Sequence, residues 1–112
     1  MAPDGGEPAR RNLEGLEPAV APTPTFEARV LHAFVRDGRL VSIPAQDKKR
    51  RVVLRYLVET CFSEDRTYLE REVNERLGAY HDDVAALRRY LVVAGLMTRA
   101  SGEYRRAGTA ED

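Results

Sequence analysis

The sequence predicts a mainly α-helical α+β domain with a small β-hairpin. Two observations lead to this prediction. Amphipathic helical patterns with start and stop signals follow one another between residues 25 and 95, and a short two-stranded pattern with a central glycine comes after the last of them. The chain has 112 residues, which suits one domain, predicted over residues 25–107.

The two ends of the chain are predicted to be disordered tails. Residues 1–24 contain five prolines and three glycines without helical or strand periodicity. Such a segment buries too little apolar surface to offset its loss of entropy. Leu13, Leu16 and Val20 are interpreted either as part of a solvated linker or as a transient contact with a partner. Residues 108–112 form the second predicted tail.

A short helix and strand are predicted at the start of the domain. Thr25 caps the helix, whose apolar positions include Phe26, Val30 and Phe34 on one face. Asp37-Gly38 predicts a turn, and residues 39–43 predict an edge strand that stops at a proline.

Two longer helical patterns follow. Asp47 is the predicted N-cap of a helix that extends to about residue 62. Thr67 and Glu70 have the spacing of a capping box, in which each side chain bonds the backbone amide at the other's position. This box predicts the start of a second helix, which Gly78 ends.

The third helix and the hairpin complete the domain. Asp82 is its predicted cap, Leu87 and Leu91 belong to its buried stripe, and Gly95 ends it. Residues 96–99 and 103–106 flank Ala100-Ser101-Gly102 and predict the hairpin. Three helices followed by a hairpin is the order of a winged helix-turn-helix, whose third helix enters the major groove of DNA.

Charge is distributed unevenly along the chain. Lys+Arg and Asp+Glu are both 18, so bulk charge does not attract the chain to nucleic acid or membrane. Residues 26–107, however, carry 16 basic and 12 acidic residues, a surplus of four. A basic cluster begins the helix at residue 47, and it consists of Lys48, Lys49, Arg50 and Arg51. Two interpretations of this cluster are equally supported: contacts with phosphate groups at a helix N-terminus, or a solvated face that Asp47 compensates.

The outward face of the third helix is the predicted DNA-reading surface. A projection at about 100° per residue places Arg89 there as the strongest base-edge donor, beside two alanines. Arg88 and Arg89 have the alternative role of ion-pair partners for Glu72, Glu75 or Asp83.

Residues on and after this helix complete the predicted interfaces. Arg99, Arg105 and Arg106 would carry the hairpin's contacts with DNA, or else protect exposed strand edges. The outward Val92 and Val93 indicate a partner interface.

No pattern predicts catalysis, a cofactor or a metal site. His32 and His81 are far apart, and Cys61 is the single cysteine, interpreted as a small packing residue. We find no phosphate loop or nucleophile motif, and therefore expect no enzyme. No apolar stretch approaches the roughly 18 residues of a membrane span, so we expect a cytoplasmic protein without a membrane partner.

Motifs in order along the chain resemble a bacterial family, domain of unknown function 2087 (DUF2087). The resemblance covers residues 34–106. Its motifs include Asp37-Gly38-Arg39-Leu40, Ile43-Pro44-Ala45, Lys48-Lys49-Arg50, Tyr80-His81-Asp82-Asp83-Val84, Leu87-Arg88-Arg89 and Gly95-Leu96. It implies a winged-helix fold and an association with transcriptional regulators of the helix-turn-helix type, and it implies no activity.

The leading hypothesis is a winged-helix transcriptional regulator, or its accessory domain, that binds DNA mainly through phosphate contacts. The alternative is a protein-interaction or homodimerisation module of a regulatory complex. RNA binding is a third, weaker hypothesis.

Overall fold

The computed structural model of the protein describes residues 24–107, so the predicted tails lie outside the described residues except for Pro24. It confirms the α+β prediction. The described residues form four helices and five short strands. The helices are α1 (Phe26–Phe34), α2 (Asp47–Cys61), α3 (Glu70–Gly78) and α4 (Val84–Val93). The strands are β1 (Val35–Arg36), β2 (Arg39–Leu40), β3 (Thr67–Leu69), β4 (Met97–Ala100) and β5 (Glu103–Arg106).

The first helix and turn form where the sequence predicts them. The Thr25 hydroxyl accepts a hydrogen bond from the amide of Ala28 at 3.0 Å and caps α1. Asp37 and Gly38 both have positive φ, which matches the right-handed twist of a two-residue hairpin between β1 and β2. The strand predicted over 39–43 is shorter, because its partner β1 has only two residues.

Helices α2, α3 and α4 enclose the core. Leu57, Val73 and Leu87, one from each helix, are fully buried. The Phe62 and Tyr68 rings meet edge to face, with centroids 5.1 Å apart, beneath the hairpin. At the start of α2, Gln46 is the N-cap and the predicted cap Asp47 is the first helical residue.

The predicted capping box at Thr67 is wrong. Thr67 lies in β3, which pairs with β5 in an antiparallel sheet of order β3-β5-β4. Helix α3 therefore begins at Glu70, with Leu69 as its N-cap. The Glu72 carboxylate accepts a hydrogen bond from the amide of Leu69 at 3.3 Å. This bond gives the backbone N–H group of the N-cap residue a partner. Pairing with β5 competes with the local cap, and it also buries Tyr68.

The boundaries of α4 position the face that the sequence analysis singles out. Asp83, and not the predicted Asp82, is the N-cap, and its carboxylate accepts from the amide of Ala86 at 3.1 Å. Asp82 instead forms an ion pair with Arg39 at 3.1 Å. Gly95 has φ +77° and ends the helix as predicted. The order α2, α3, α4 and then the β4–β5 hairpin is the predicted one.

Candidate nucleic-acid interface

The outward face of α4 and the hairpin enclose a shallow groove of about 350 Å³. Because Leu87 and Leu91 are buried, the opposite side of the same helix points to solvent. We call this surface the α4 groove. The residues that line it include three arginines and two valines: Arg88, Arg89, Arg99, Val92 and Val93.

Arg88 lies on the side of α4 that faces α3. Its guanidinium donates a hydrogen bond to the side-chain oxygen of Asn74. The alternative predicted for Arg88, an ion pair with Glu72, Glu75 or Asp83, is not the contact that forms. Asn74 therefore positions a cation at the edge of the α4 groove without neutralising it.

Arg89 is exposed at the centre of the outward face. Its guanidinium carbon lies 5.7 Å from the centroid of the Tyr90 ring, and that of Arg50 lies 4.5 Å from the same centroid. Cation–π contacts of this kind contribute about 0.5 to 1 kcal/mol at exposed sites. The shared ring brings the start of α2 next to the outward face of α4.

The predicted basic cluster divides into two pairs. Asp47 accepts from Arg50 at 3.2 Å and from Arg51 at 3.4 Å, which compensates positive charge at the helix start. Arg50 also donates to the carbonyl of Ala45 at 2.8 Å, and its side chain is only 17% exposed. Lys48 lies over the Phe26 ring at 5.1 Å.

The two lysines of this cluster differ from its arginines. Among residues 24–107, no hydrogen bond or ion pair from Lys48 or Lys49 to another side chain is present, nor one from Arg89. Within the described part of the chain, these three cations therefore have no carboxylate partner.

The three hairpin arginines separate in space. Arg99 pairs with Glu70 at 3.4 Å and lines the α4 groove. Arg105 pairs instead with Asp65 at 3.1 Å. Arg106 donates to the carbonyl of Ser63 at 3.3 Å. The structure therefore brings Arg99 to α4 and directs Arg105 and Arg106 to the loop between α2 and β3.

Arg66 is an organising residue that the sequence analysis did not identify. Its guanidinium donates to Glu72 at 2.7 Å and to Glu64 at 2.9 Å, and lies 4.0 Å over the Tyr68 ring. The hydrogen bond from Arg66 lowers the pKa of Glu72 to about 2, and the Leu69 amide also favours the carboxylate. The contacts join the α2–β3 loop to α3. The only sequence signal is an arginine near two glutamates.

Other reactive groups of the described residues lie apart from this surface. Cys61 is buried, and burial raises the pKa of its thiol to about 11. Across residues 24–107, no group of three or more histidine, cysteine, aspartate or glutamate side chains is arranged to hold a metal ion. None of the helices in the same range is long and apolar enough to cross a bilayer.

Comparison with known proteins identifies a protein family. The model of a family described as an uncharacterized protein conserved in bacteria, DUF2087, matches residues 39–106. The matched region begins at β2 and includes the whole α4 groove. Searches of curated proteins and of solved structures find no match.

Proposed function

Because the chain belongs to the DUF2087 family, whose description states no activity, we propose a function from the geometry of the α4 groove. The proposed function is that of a winged-helix DNA-binding module in transcriptional regulation, acting without catalysis. The main observation in support of this proposal is that three arginines line one groove between the exposed face of α4 and the hairpin.

The helix order supports this proposal. In a winged helix, the helix before the hairpin enters the major groove and the hairpin contacts the flanking backbone. Here α4 has the outward Arg89, and Arg99 extends from the first strand of the hairpin. Arg88 lines the same groove from the side of α4 that faces α3. The three guanidinium groups can contact phosphates, and Arg89 is also suited to a guanine edge.

The basic residues differ in how readily they could contact DNA, because some of them already have partners within the domain. Arg99 pairs with the partly exposed carboxylate of Glu70, and exchanging this partner for a phosphate costs little because ion pairs near the surface contribute about 0 to 1 kcal/mol. Lys48 and Lys49 are proposed as peripheral phosphate contacts at the start of α2. Arg50, Arg51, Arg105 and Arg106 already have partners within the domain, and their first role is to stabilise it.

The proposal is tested by titrating the full chain against a labelled random-sequence duplex and following fluorescence anisotropy over a range of salt concentrations. We expect micromolar binding at low salt that weakens as salt increases. Arg89→Gln should weaken binding and make the salt slope shallower by about 0.9, the change for one lost phosphate contact.

Arg55→Gln is the matched control, because Arg55 is an exposed arginine that lines a different groove with Glu59 and Leu96. This variant should bind like the wild type. Absence of binding at low salt, or equal effects of the two substitutions, would contradict the proposal.

A second candidate function is protein interaction through the same face. Val93 is 78% exposed and Val92 37%, and neither valine is suited to hydrogen bonding with DNA. If two copies associate through α4, light scattering should show a dimer that Val93→Glu converts to a monomer without loss of helical circular dichroism. A wild-type chain that stays monomeric at high concentration would contradict this function.

A further inference from the structure

We propose that the α4 groove binds the segment over residues 12–20 of its own chain, an intramolecular contact that would cover the surface proposed to bind DNA. The contact does not depend on the proposed DNA function. It joins a basic and apolar groove to an acidic and apolar segment.

The groove combines two chemistries that one occupant must match. Arg88, Arg89 and Arg99 surround it, and among them only Arg99 has a carboxylate partner within the described residues. Val92 and Val93 supply the apolar surface, and Val93 is 78% exposed. The groove therefore favours a ligand in which carboxylates alternate with aliphatic side chains.

Residues 12–20 have this composition. Leu13, Leu16 and Val20 are separated by Glu14 and Glu17, and the segment contains no lysine or arginine. Its two carboxylates complement two of the arginines, and its aliphatic residues complement the two valines. The other two carboxylates of residues 1–23, Asp4 and Glu7, have no leucine, isoleucine or valine beside them.

The chain is long enough to make this contact. Leu13 lies eleven positions before Pro24, and an extended chain of that length spans about 36 to 40 Å. A domain of this size has a radius of gyration of about 12 Å, so the start of the segment can cross the domain, whereas Val20, four positions before Pro24, stays within about 14 Å of it. A series of contacts also connects the start of α1 with α4. Phe26 of α1 contacts Lys48 at the beginning of α2. Arg50 of α2 in turn lies over the Tyr90 ring, which Arg89 also contacts.

Tethering makes a weak contact effective. A segment joined by a short linker experiences a local concentration of about millimolar, so modest affinity is sufficient. DNA and the segment would compete for the same arginines. Loss of the contact should therefore increase the affinity for DNA.

The contact is tested in the full chain with a nitroxide spin label at Ala19→Cys. Labelling is selective because Cys61 is buried and the pKa of its thiol is raised to about 11. The NMR methyl signals of Val92 and Val93 should lose intensity through paramagnetic relaxation. Those of Val58, which lines a different groove, should not.

Charge reversal provides the matched control. Glu14→Lys with Glu17→Lys should restore the Val92 and Val93 signals, whereas Asp4→Lys with Glu7→Lys, the same change in net charge, should leave them broadened. Signals that are never broadened, or equal effects of the two double variants, would overturn the proposal. It would equally be overturned if an isotope-labelled chain without the nitroxide were broadened by a nitroxide-labelled one, because the occupant would then be a second copy. None of these results depends on DNA, so failure of the contact and failure of the DNA proposal are distinguishable.

Discussion

Glu72 is a carboxylate that the fold stabilises in its charged form. It accepts hydrogen bonds from Arg66 and from the Leu69 amide, and its pKa falls from an ordinary value of 4.5 to about 2. A lowered folded-state pKa stabilises the protein above the unfolded-state value. That stabilisation is lost as the pH decreases toward the folded-state value.

We therefore predict that Glu72→Gln destabilises the domain at neutral pH and that its difference from the wild type shrinks between about pH 4.5 and pH 2. Urea unfolding at a series of pH values measures this difference. Glu75→Gln is the control, since Glu75 is an exposed glutamate on the same helix. A difference that stays constant as the pH decreases would contradict the role assigned to the Arg66–Glu72 pair.

Gly95 illustrates how a single residue ends an element. It has φ +77°, and a Cβ atom built there meets nothing within 4 Å. The cost of a side chain at this position is therefore backbone strain and not a clash. Because the left-handed conformation costs L-residues about 1 to 2 kcal/mol, Gly95→Ala should lower the free energy of unfolding by that amount.

Denaturant unfolding of Gly95→Ala beside Gly78→Ala measures this effect. Gly78 is a helical residue whose φ is not positive, and a Cβ there makes an ordinary contact at 3.8 Å with Val84. Gly78→Ala should be tolerated or stabilising, since alanine is the better helix former. Equal destabilisation by the two substitutions would contradict the capping role of Gly95.

Elements defined by local signals could be predicted from the sequence. The Thr25 cap, the Asp37-Gly38 turn and the helix end at Gly95 each depend on residues that are close in sequence, and all three are present. Strand β3 could not be predicted, because Thr67 and Glu70 match a helix-start pattern. Its formation depends on pairing with Arg105 and Tyr104, more than 30 residues away.

The candidate site follows the same division. The outward position of Arg89 and Val93 follows from the helical period of α4 alone. The contact of Arg50 with Tyr90 and that of Arg105 with Asp65 join distant segments, so no local pattern indicates them. For this reason, the sequence groups the hairpin arginines together, while the structure places only Arg99 at α4.

The chain as a whole is neutral, but its folded domain is basic. The described domain has four more basic than acidic residues, and the acidic excess lies in residues 1–23 and 108–112. The proposed DNA-binding surface and the acidic segment proposed to cover it would therefore belong to one polypeptide. This division of charge would make DNA affinity depend on whether the segment occupies the α4 groove.

An NMR titration of the isotope-labelled full chain with a short DNA duplex at low salt decides whether the α4 groove is the DNA-binding surface. The prediction is that the largest amide shifts occur at residues 88–93 and at Arg99, with smaller shifts at Lys48 and Lys49. Shifts confined to α1 and the β1–β2 hairpin, or no shifts at micromolar protein and duplex, would contradict it.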